Sequence, residues 1–315
     1  MMMTRAEAAA WLLARDHFCI LTHTRPDGDT FGSAAALCLG LRQLGKRAHV
    51  LENREGSEFL SRCLEGLTKP APEDNDTLVS VDVASPEMLP GEHQAYLPRI
   101  GLRLDHHGCA ASFTPEELVD PRAAACAEII YDVLMEMGVK MTGELAVRLY
   151  IGVSTDTGCF RYANTTAHTY RVAAACAETG AELYPITQEL FDTNSLSKLK
   201  LESWIVEHAT FLCEGRGAVC GIPKVLEETV TKDDLEGISG FLRSIGGVRM
   251  SAVIRETPTG TKASVRAVPG YDAAAVCMRF GGGGHKGAAG ANLALPLEQA
   301  VQVIAQALTE ALEQA

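Results

Sequence analysis

The sequence predicts an α/β fold with two domains, an N-terminal doubly wound parallel sheet and a smaller C-terminal α+β domain. In the first half, short apolar runs alternate with helical patterns, as in a parallel sheet covered on both faces. After about residue 213, apolar and polar residues alternate, as in half-exposed strands. The chain has 315 residues, 47 % of them hydrophobic, which is enough to fill two cores. We expect domains at 1–186 and 213–315, joined by a helical connector at 187–212.

The elements of the first domain follow from the apolar runs and their borders. A first helix begins near Thr4, which forms a capping-box pattern with Glu7. Leu145, Leu149 and Val153 have the i, i+4 spacing of one helix face, and this helix is expected to end near Val153. The predicted strands are 17–23, 47–53, 77–85 and 99–108, and the other predicted helices are 30–45, 57–67, 123–138 and 142–154.

The second domain is predicted from shorter segments. Residues 272–290 are expected to form a helix that breaks into a glycine-rich loop. The predicted strands are 217–222, 247–256 and 261–268, and an amphipathic helix is predicted at 296–312.

The charge balance narrows the class of partner. The formal net charge is −12, and an acidic surface repels long polyanions, so long duplex nucleic acid is not an expected partner. A short anionic substrate is compatible with this charge, because a metal or a local arginine cluster inverts the field at one site. A homodimer is expected only because dimers are the commonest symmetric assembly.

Cysteine usage and apolar runs predict a cytoplasmic protein without a membrane span. The ten cysteines are scattered and form no C-x-x-C pair, which argues against a zinc knuckle and a disulfide framework. Most lie in apolar stretches, and this usage suits a reducing compartment. Charged residues interrupt the N-terminal stretch, so no signal peptide is predicted, and no apolar run reaches the roughly 18 residues of a membrane span.

Polar clusters follow the predicted strands of the first domain. They lie at 23–29 after the first strand, at Asp82 at the end of the third, and at 105–107 after the fourth. A further cluster, 154–166, follows the helix that ends near Val153. In open α/β sheets, ligands bind outside the carboxyl ends of the strands, so we expect these clusters to converge on one crevice.

Hard oxygen and imidazole ligands dominate these clusters, and they suit Mn²⁺, with Mg²⁺, Co²⁺ or Fe²⁺ as alternatives. Each residue alone is more typical of a cap or a solvated turn, but their conjunction favours a metal. A turn at Gly28 lets Asp27 and Asp29 flank two ions. Two metals about 3.5–4 Å apart clamp the attacking and leaving oxygens of a phosphoryl displacement, and a water that bridges them is largely deprotonated. The candidate metal ligands are His23, Asp27, Asp29, Asp82 as a bridge, His106 and Asp156.

The glycine-rich segment of the second domain is a candidate anion site. Small residues on both sides of His285 and Lys286 let backbone N–H groups approach an anion while the histidine is presented. Arg266 alternates onto one face of its strand and could bind a phosphate with its guanidinium fork. The structural alternatives are a flexible loop and a solvated arginine.

Together these motifs resemble a known family. The segments HTRPDGD, VDVAS, LDHHG and STDTGCFRY look like the four motifs of DHH phosphoesterases, and SVR and FGGGGHKGAAG look like the associated DHHA1 domain. The arrangement is similar to the nanoRNase and 3′-phosphoadenosine 5′-phosphate phosphatase group, and to stand-alone cyclic-dinucleotide phosphodiesterases. The resemblance covers residues 18–292. Arg103 stands where an apolar strand residue is expected, so this strand would be less deeply buried.

The resemblance implies a role for each motif residue of the first domain. Asp105 would orient His106, and His107 would contact the scissile phosphate and help the leaving group. Arg161, Tyr162 and Asn164 would lie near the substrate or the domain hinge. One Mn²⁺ would be bound by His23 and Asp27 and the other by Asp29, His106 and Asp156, with Asp82 as the bridging ligand.

The resemblance also implies a substrate site and an activity. Arg266 and His285, with the backbone of Gly282, Gly283 and Gly284, would hold substrate phosphate in a cleft between the domains. The enzyme would hydrolyse short oligoribonucleotides to mononucleotides by a metal-bridging hydroxide, and would dephosphorylate 3′-phosphoadenosine 5′-phosphate. Linear or cyclic di-adenosine nucleotides are the alternative substrates. A pyrophosphatase or polyphosphatase is disfavoured by the second domain, and a non-catalytic nucleotide-binding module by the complete ligand set.

Overall fold

The computed structural model of the protein describes residues 2–108, 112–231, 233–235 and 237–314. The contacts within the chain divide it into two units, Met1–Thr193 and Asn194–Ala315. This boundary lies inside the segment predicted as a connector at 187–212. Leu201 and Ile205 of that segment are buried in a core of the second unit, so their helix is part of that unit.

A parallel sheet forms the centre of the first unit, as the sequence predicts. Its strands are β1 (Phe18–Leu21), β2 (Ala48–Leu51), β3 (Thr68–Lys69), β4 (Thr77–Val81), β5 (Ile100–Asp105) and β6 (Glu116–Val119). Over the described residues the strand order is β3-β2-β1-β4-β5-β6, and all pairs are parallel. The order reverses between β1 and β4, which is where doubly wound sheets bind ligands.

Alternate residues of these strands point to two different cores. One face packs against helices, and the other against 3₁₀ turns at 86–88 and 91–99. Phe18 and Ile20 belong to the helix side, whereas Cys19 and Leu21 belong to the other. The helices are α1 (Arg5–Leu13), α2 (Gly28–Gln43), α3 (Glu58–Ser61), α4 (Cys126–Glu136), α5 (Gly143–Asp156), α6 (Ala167–Glu178) and α7 (Tyr184–Thr187).

Helices α2 and α5 approach each other closely enough for their backbones to touch. A Cβ atom on Gly32 would lie only 2.5 Å from the carbonyl oxygen of Arg148, and one on Gly28 would lie 2.4 Å from Cγ2 of Thr155. Glycine is therefore required at both positions of α2. This approach brings the first turn of α2 beside the last turn of α5, so that the carboxylates at these two helix ends can face one site.

Several helices differ from their predicted bounds. The helix predicted at 57–67 is the short α3 followed by a 3₁₀ turn at 62–64, and α4 begins at Cys126 rather than at residue 123. Two other differences bear on the polar clusters. Helix α2 begins at Gly28 rather than at residue 30, because Asp27 caps it and accepts a 3.0 Å hydrogen bond from the backbone N–H of Thr30. Helix α5 continues past Val153 and ends at Asp156. Asp156 is therefore the last residue of a helix, and its side chain takes its direction from that helix.

The second unit contains a mixed sheet. Its strands are β7 (Thr210–Leu212), β8 (Gly217–Ile222), β9 (Met250–Thr257), β10 (Gly260–Ala267), β11 (Gly283–His285) and β12 (Ala288–Leu293). Over the described residues their order is β11-β12-β10-β9-β8-β7, with β8 and β9 parallel and the other pairs antiparallel. The helices are α8 (Leu196–His208), α9 (Lys224–Glu227), α10 (Ile238–Phe241), α11 (Ala273–Met278) and α12 (Leu297–Glu313).

The predicted glycine-rich loop is in part an edge strand. Gly283, Gly284 and His285 form β11, which pairs with β12. A Cβ atom on Gly282 would lie 2.2 Å from the carbonyl oxygen of Gly290, so glycine lets the two backbones approach here. Gly282 therefore serves close strand contact, whereas Gly281 (φ 72°) and Gly284 (φ 140°) adopt backbone conformations that favour glycine.

The longest helices are too short or too polar for a bilayer: within the described residues, none could cross a membrane. The nine described cysteines are free thiols, and most are buried. Cys109 lies outside the described residues.

Candidate metal centre

A first group of three potential ligands meets beyond the carboxyl ends of β1 and β4. One ligand atom each from His23, Asp27 and Asp82 lies within 4.8 Å of the others. Nδ1 of His23 lies 2.6 Å from the carbonyl oxygen of Thr24, so this nitrogen donates. Nε2 therefore carries the lone pair, and it lies 2.5 Å from Oγ1 of Thr30. Nε2 of His23 lies 3.5 Å from Oδ2 of Asp82.

A second group meets on the other side of Asp82. It consists of Asp29, His106 and Asp156, again with ligand atoms within 4.8 Å. Nε2 of His106 lies 3.3 Å from Oδ2 of Asp156 and 3.8 Å from Oδ2 of Asp29. The same nitrogen lies 3.6 Å from Oδ1 of Asp82. Asp82 therefore faces both groups, one with each carboxylate oxygen, and the structure brings all six candidate ligands together.

The backbone at Asp82 has an unusual conformation. Its φ is 58°, in the left-handed region that non-glycine residues rarely adopt, and its N–H donates to Leu104 of the neighbouring strand over 2.9 Å. Such a conformation costs about 1 kcal/mol or more and persists where the surroundings impose it. It turns the chain at the end of β4, where the side chain of Asp82 meets both groups.

Residues that sequence analysis did not single out orient these ligands. Oγ1 of Thr30 lies 2.6 Å from Oδ2 of Asp82 and 3.1 Å from Oδ1 of Asp27. Asp29 accepts hydrogen bonds from the backbone N–H groups of Cys126 (2.5 Å) and Ala127 (2.9 Å), at the start of α4. The position of Thr30 directly after Asp29 in the sequence could have indicated that its hydroxyl contacts the ligands. The contact with α4 had none, because these residues are about a hundred positions apart.

Burial concentrates negative charge at this centre. Asp82 is 2 % exposed and Asp29 is fully buried. Burial, followed by the charges of Asp29 and Asp27, raises the pKa of Asp82 well above its ordinary value. Burial and the nearby carboxylates, Asp29 first, raise the pKa of Asp156 to about 10.

The donor set fits divalent cations. Among the described residues, Oδ1 of Asp82 is buried without a hydrogen-bond partner, which is costly unless another group satisfies it. A divalent ion would give this oxygen a partner and would neutralise the clustered carboxylates. Four carboxylates and two imidazoles are the ligands of Mn²⁺ and its neighbours rather than of thiolate-selecting metals.

Arg103 corrects the expectation of a less buried strand. It is 1 % exposed and lies in the interior of the first unit. Its guanidinium contacts Oδ2 of Asp105 through Nη2 and through Nε (3.1 Å), and it also donates to the carbonyl oxygen of Ala84 (3.1 Å). The ring of Phe113 lies 5.0 Å below it. The strand is therefore buried at Arg103 as at its apolar positions, because the arginine is paired.

Asp105 orients a different histidine ring from the one expected. Its Oδ1 accepts a 2.8 Å hydrogen bond from Nδ1 of His107, and also hydrogen bonds from the backbone N–H groups of His106 and His107. Nδ1 of His106 instead faces the carbonyl oxygen of Ala123 at 3.3 Å. The hydrogen bond to Asp105 raises the pKa of His107, which favours its protonated form.

Of the three residues predicted near the substrate or the hinge, Asn164 contacts a ligand residue of this centre, whereas Arg161 and Tyr162 contact Gly158. Nδ2 of Asn164 donates to the carbonyl oxygens of Asp156 and Ala124, each over 3.1 Å. Nε of Arg161 donates to Gly158, and the ring of Tyr162 lies against the same glycine. Asn164 thus fixes the end of α5, which carries Asp156.

In the second unit, Arg266 and His285 lie in one row of the sheet. Both pair with Ala288, Arg266 from β10 and His285 from β11, so their side chains share a face with a small residue between them. Nη2 of Arg266 donates to Ser239 over 2.8 Å. Burial and the nearby charge of Arg243 lower the pKa of Arg266. Arg243 is a second cation at this face that the sequence analysis missed, because it lies 23 positions away in the chain.

Comparison with known proteins decides the family. Residues 17–153 match the model of the DHH family, N-terminal domain, and residues 217–314 match the DHHA1 domain. The chain is 33 % identical over 302 residues to the Thermus thermophilus bifunctional oligoribonuclease and PAP phosphatase NrnA, which covers 94 % of this chain and 90 % of the relative. The chain belongs to the DHH family. It is a phosphoester hydrolase of that family, with the DHH and DHHA1 domains that the motifs predict.

A second curated relative supports this assignment, and a solved structure has the same fold. The Bacillus subtilis bifunctional oligoribonuclease and PAP phosphatase NrnA is 25 % identical over 287 residues, which cover 88 % of this chain and 90 % of that protein. The crystal structure of an exopolyphosphatase-related protein from Bacteroides fragilis has the same fold, with a TM-score of 0.86 and 24 % identity. The match covers 97 % of this DHH-family chain and 96 % of that one.

Proposed function

We propose that this DHH-family chain hydrolyses short oligoribonucleotides to mononucleotides and also removes phosphate from 3′-phosphoadenosine 5′-phosphate. The observation that carries the proposal is the position of Asp82, with one carboxylate oxygen facing His23 and the other facing His106. The names of the Thermus and Bacillus relatives, which combine both activities, support the substrate class. The net charge of −12 agrees with substrates that bring few phosphates.

Two divalent ions are part of this proposal. His23 and Asp27 would hold one ion, with Asp82 shared between the two ions. Mn²⁺ suits the mixed oxygen and imidazole donors, and Mg²⁺ or Co²⁺ are possible substitutes. Such ions stabilise the charge that develops in phosphoryl transfer and lower the pKa of water. The second ion would be held by Asp29, His106 and Asp156.

His107 is the proposed proton donor to the leaving oxygen. Its Nδ1 is held by Asp105 at 2.8 Å, which leaves Nε2 to face the substrate. Its side chain is 43 % exposed, so a substrate can reach it, unlike the buried Asp105. A raised pKa keeps the proton on the ring until the leaving group needs it.

The second unit would bind substrate phosphate. Arg266, Arg243 and His285 supply donors on one face of its sheet, and the backbone of Gly282, Gly283 and Gly284 supplies N–H groups near His285. That both units act on one substrate molecule is part of this proposal.

A product time course tests the function. The protein with Mn²⁺ is offered RNAs of two to five nucleotides, 3′-phosphoadenosine 5′-phosphate, linear and cyclic di-adenosine nucleotides, and pyrophosphate. We expect mononucleotides from the short RNAs and phosphate from the bisphosphate, with both lost in Asp82→Asn. Faster turnover of the di-adenosine nucleotides or of pyrophosphate would reject the proposed substrate class. Turnover by Asp82→Asn at the original rate would reject the site.

A further inference from the structure

A second cluster of potential ligands lies at the opposite end of the same sheet. Ligand atoms of Cys19, His49 and Asp76 lie within 4.8 Å of one another. Cys19 and His49 are the second residues of β1 and β2 and are direct partners across these strands, and Asp76 immediately precedes β4. Because the strands are parallel, these positions mark their amino ends, whereas the proposed catalytic ligands follow the carboxyl ends.

One member of this cluster is buried without a partner. His49 is 4 % exposed, and its Nε2 makes no hydrogen bond to any described residue. The nearest carboxylate oxygen, Oδ2 of Asp76, lies 3.5 Å away, and that side chain is 3 % exposed. This separation is long for a hydrogen bond. It is close to the roughly 3.3 Å that tetrahedral geometry sets between two ligands bonded to one zinc ion.

We propose that Cys19, His49 and Asp76 bind a Zn²⁺ ion in addition to the ions of the catalytic centre. A thiolate, an imidazole and a carboxylate form the mixed soft and borderline donor set that selects zinc, whereas the catalytic set of carboxylates and imidazoles selects harder ions. The ligands come from the starts of three neighbouring strands, so the bound ion would tie β1, β2 and β4 together. No local spacing motif encodes such a site, because each ligand lies on a different element.

An ion can reach this cluster from solvent. A pocket of about 310 Å³ borders two members of the cluster, His49 and Asp76, and is also lined by His17 and Glu73. Four cationic side chains line the same pocket: Arg42, Lys46, Arg47 and Lys69. His17, Glu73 and Asp76 also have ligand atoms within 4.8 Å of one another, so the pocket side offers further donors for a fourth position. Each of these cations has a partner outside the cluster: Lys69 lies 2.5 Å from Glu73, and Arg47 lies 3.6 Å from Asp16. Lys46 and Arg42 donate to backbone carbonyl oxygens.

The thiol would lose its proton when the ion binds. Burial, followed by the charge of Asp76, raises the pKa of Cys19 to about 12, so the metal-free thiol is neutral at neutral pH. Zn²⁺ replaces that proton by forming the sulfur–metal bond, and the proton leaves to solvent. Burial lowers the pKa of His49, so its imidazole is neutral, which is the form that binds a metal.

Cobalt titration of the full chain tests this site separately from catalysis. Co²⁺ bonded to a thiolate has a near-ultraviolet charge-transfer band, which the carboxylate and imidazole ligands of the catalytic centre cannot produce. We expect the wild type to develop this band and added Zn²⁺ to remove it. Cys19→Ser should abolish the band, and His49→Gln should weaken cobalt affinity at this site by at least about tenfold. Cys126→Ser is the matched control, because Cys126 is a buried thiol close to the catalytic carboxylates, and the band should persist in it.

Two results would overturn the proposal. One is the absence of the band in the wild type at saturating Co²⁺. The other is a band that disappears in Cys126→Ser but persists in Cys19→Ser. If circular dichroism shows that Cys19→Ser does not fold, the cobalt titration is repeated with His49→Gln and Asp76→Asn. An undiminished band in both variants would reject the site. Because the readout is spectroscopic, failure of this site is distinguishable from failure of the proposed nuclease activity.

Discussion

Arg103 and Asp105 form a buried ion pair two residues apart on β5, directly before the two histidines of the motif. The guanidinium holds Oδ2 of Asp105, which leaves Oδ1 to accept from Nδ1 of His107. The arginine therefore acts on the histidine through the carboxylate. This chain of contacts links a residue in the protein interior to the partly exposed His107.

Replacement of Arg103 is expected to impair turnover more than substrate binding. Arg103→Met should lower kcat for short RNA by about 10- to 100-fold with little change in KM, because His107 loses its fixed orientation. Arg103→Lys keeps the positive charge but not the forked guanidinium, so its kcat should lie between those of the wild type and Arg103→Met. Breaking a buried ion pair also costs about 3–5 kcal/mol of stability, so rates are compared where circular dichroism shows folded protein. Arg122→Met, at an exposed arginine, is the control, and an equal rise in KM would contradict a positioning role.

Asp82→Asn is expected to remove activity and metal binding together. A neutral amide cannot bridge two cations, so we expect at least about a hundredfold loss of turnover. Isothermal titration with Mn²⁺ should also show weaker binding. Asp74→Asn, at an exposed carboxylate, should behave as the wild type. Retention of both properties in Asp82→Asn would place the metal centre elsewhere.

Asp156→Asn is expected to stabilise the metal-free protein while it weakens metal binding. Without ions, Asp29, Asp82 and Asp156 are buried together, and burial with mutual repulsion raises the pKa of each. A carboxyl whose pKa is higher in the folded than in the unfolded state destabilises the fold at neutral pH, so Asp156→Asn should raise the free energy of unfolding by about 1 kcal/mol in chelator. Added Mn²⁺ should then stabilise the variant less than the wild type. Urea unfolding with and without Mn²⁺ measures both effects, and a less stable metal-free variant would contradict the argument.

The lowered pKa of Asp120 predicts that part of the stability of the first unit is lost in acid. Hydrogen bonds from Arg122, and then from Arg5, lower the pKa of Asp120 to about 2 from an ordinary value of 3.8. A lowered pKa in the folded state stabilises the protein above about pH 4, and this contribution is lost as the pH falls towards about 2. Asp120→Asn should therefore be less stable than the wild type near pH 6, and the difference should shrink as the pH falls below about 4. Urea unfolding across this range tests it, and a difference independent of pH would refute the assignment.

Arg266→Gln is expected to raise KM for short RNA and for 3′-phosphoadenosine 5′-phosphate by about tenfold or more, because a charge-assisted contact to phosphate is lost. Arg243→Gln should have a smaller effect of the same sign. Lys262→Gln removes the same charge from an exposed position of β10 and serves as the control. Equal effects of Arg266→Gln and Lys262→Gln would indicate general electrostatic attraction instead of a phosphate site.

Much of the site could be predicted because most of its ligands follow directly after apolar runs that the sequence identifies as strands. Polar residues after apolar runs mark the carboxyl ends of parallel strands, and those ends share one edge of the sheet whatever the details of packing. His23, Asp82 and His106 could therefore be placed near one another without coordinates. The fold class follows from the same alternation of strands and helices.

The sequence by itself determined the alternation of the central strands and helices, the ligand types and the family, because these depend on local periodicity and on motifs of a few residues. It did not predict the strands β3, β6, β7, β11 and β12. Only the tertiary structure decided that Arg103 points inward, that α4 holds Asp29, and that Asp105 orients His107. It also decided that three residues of the glycine-rich segment, Gly283–His285, form an edge strand. The contact between α4 and Asp29 joins segments far apart in the chain, whereas the other three depend on which nearby partner a side chain or backbone group takes, and neither leaves a periodic signal. The cluster of Cys19, His49 and Asp76 is of the same kind, because only strand pairing brings its members together.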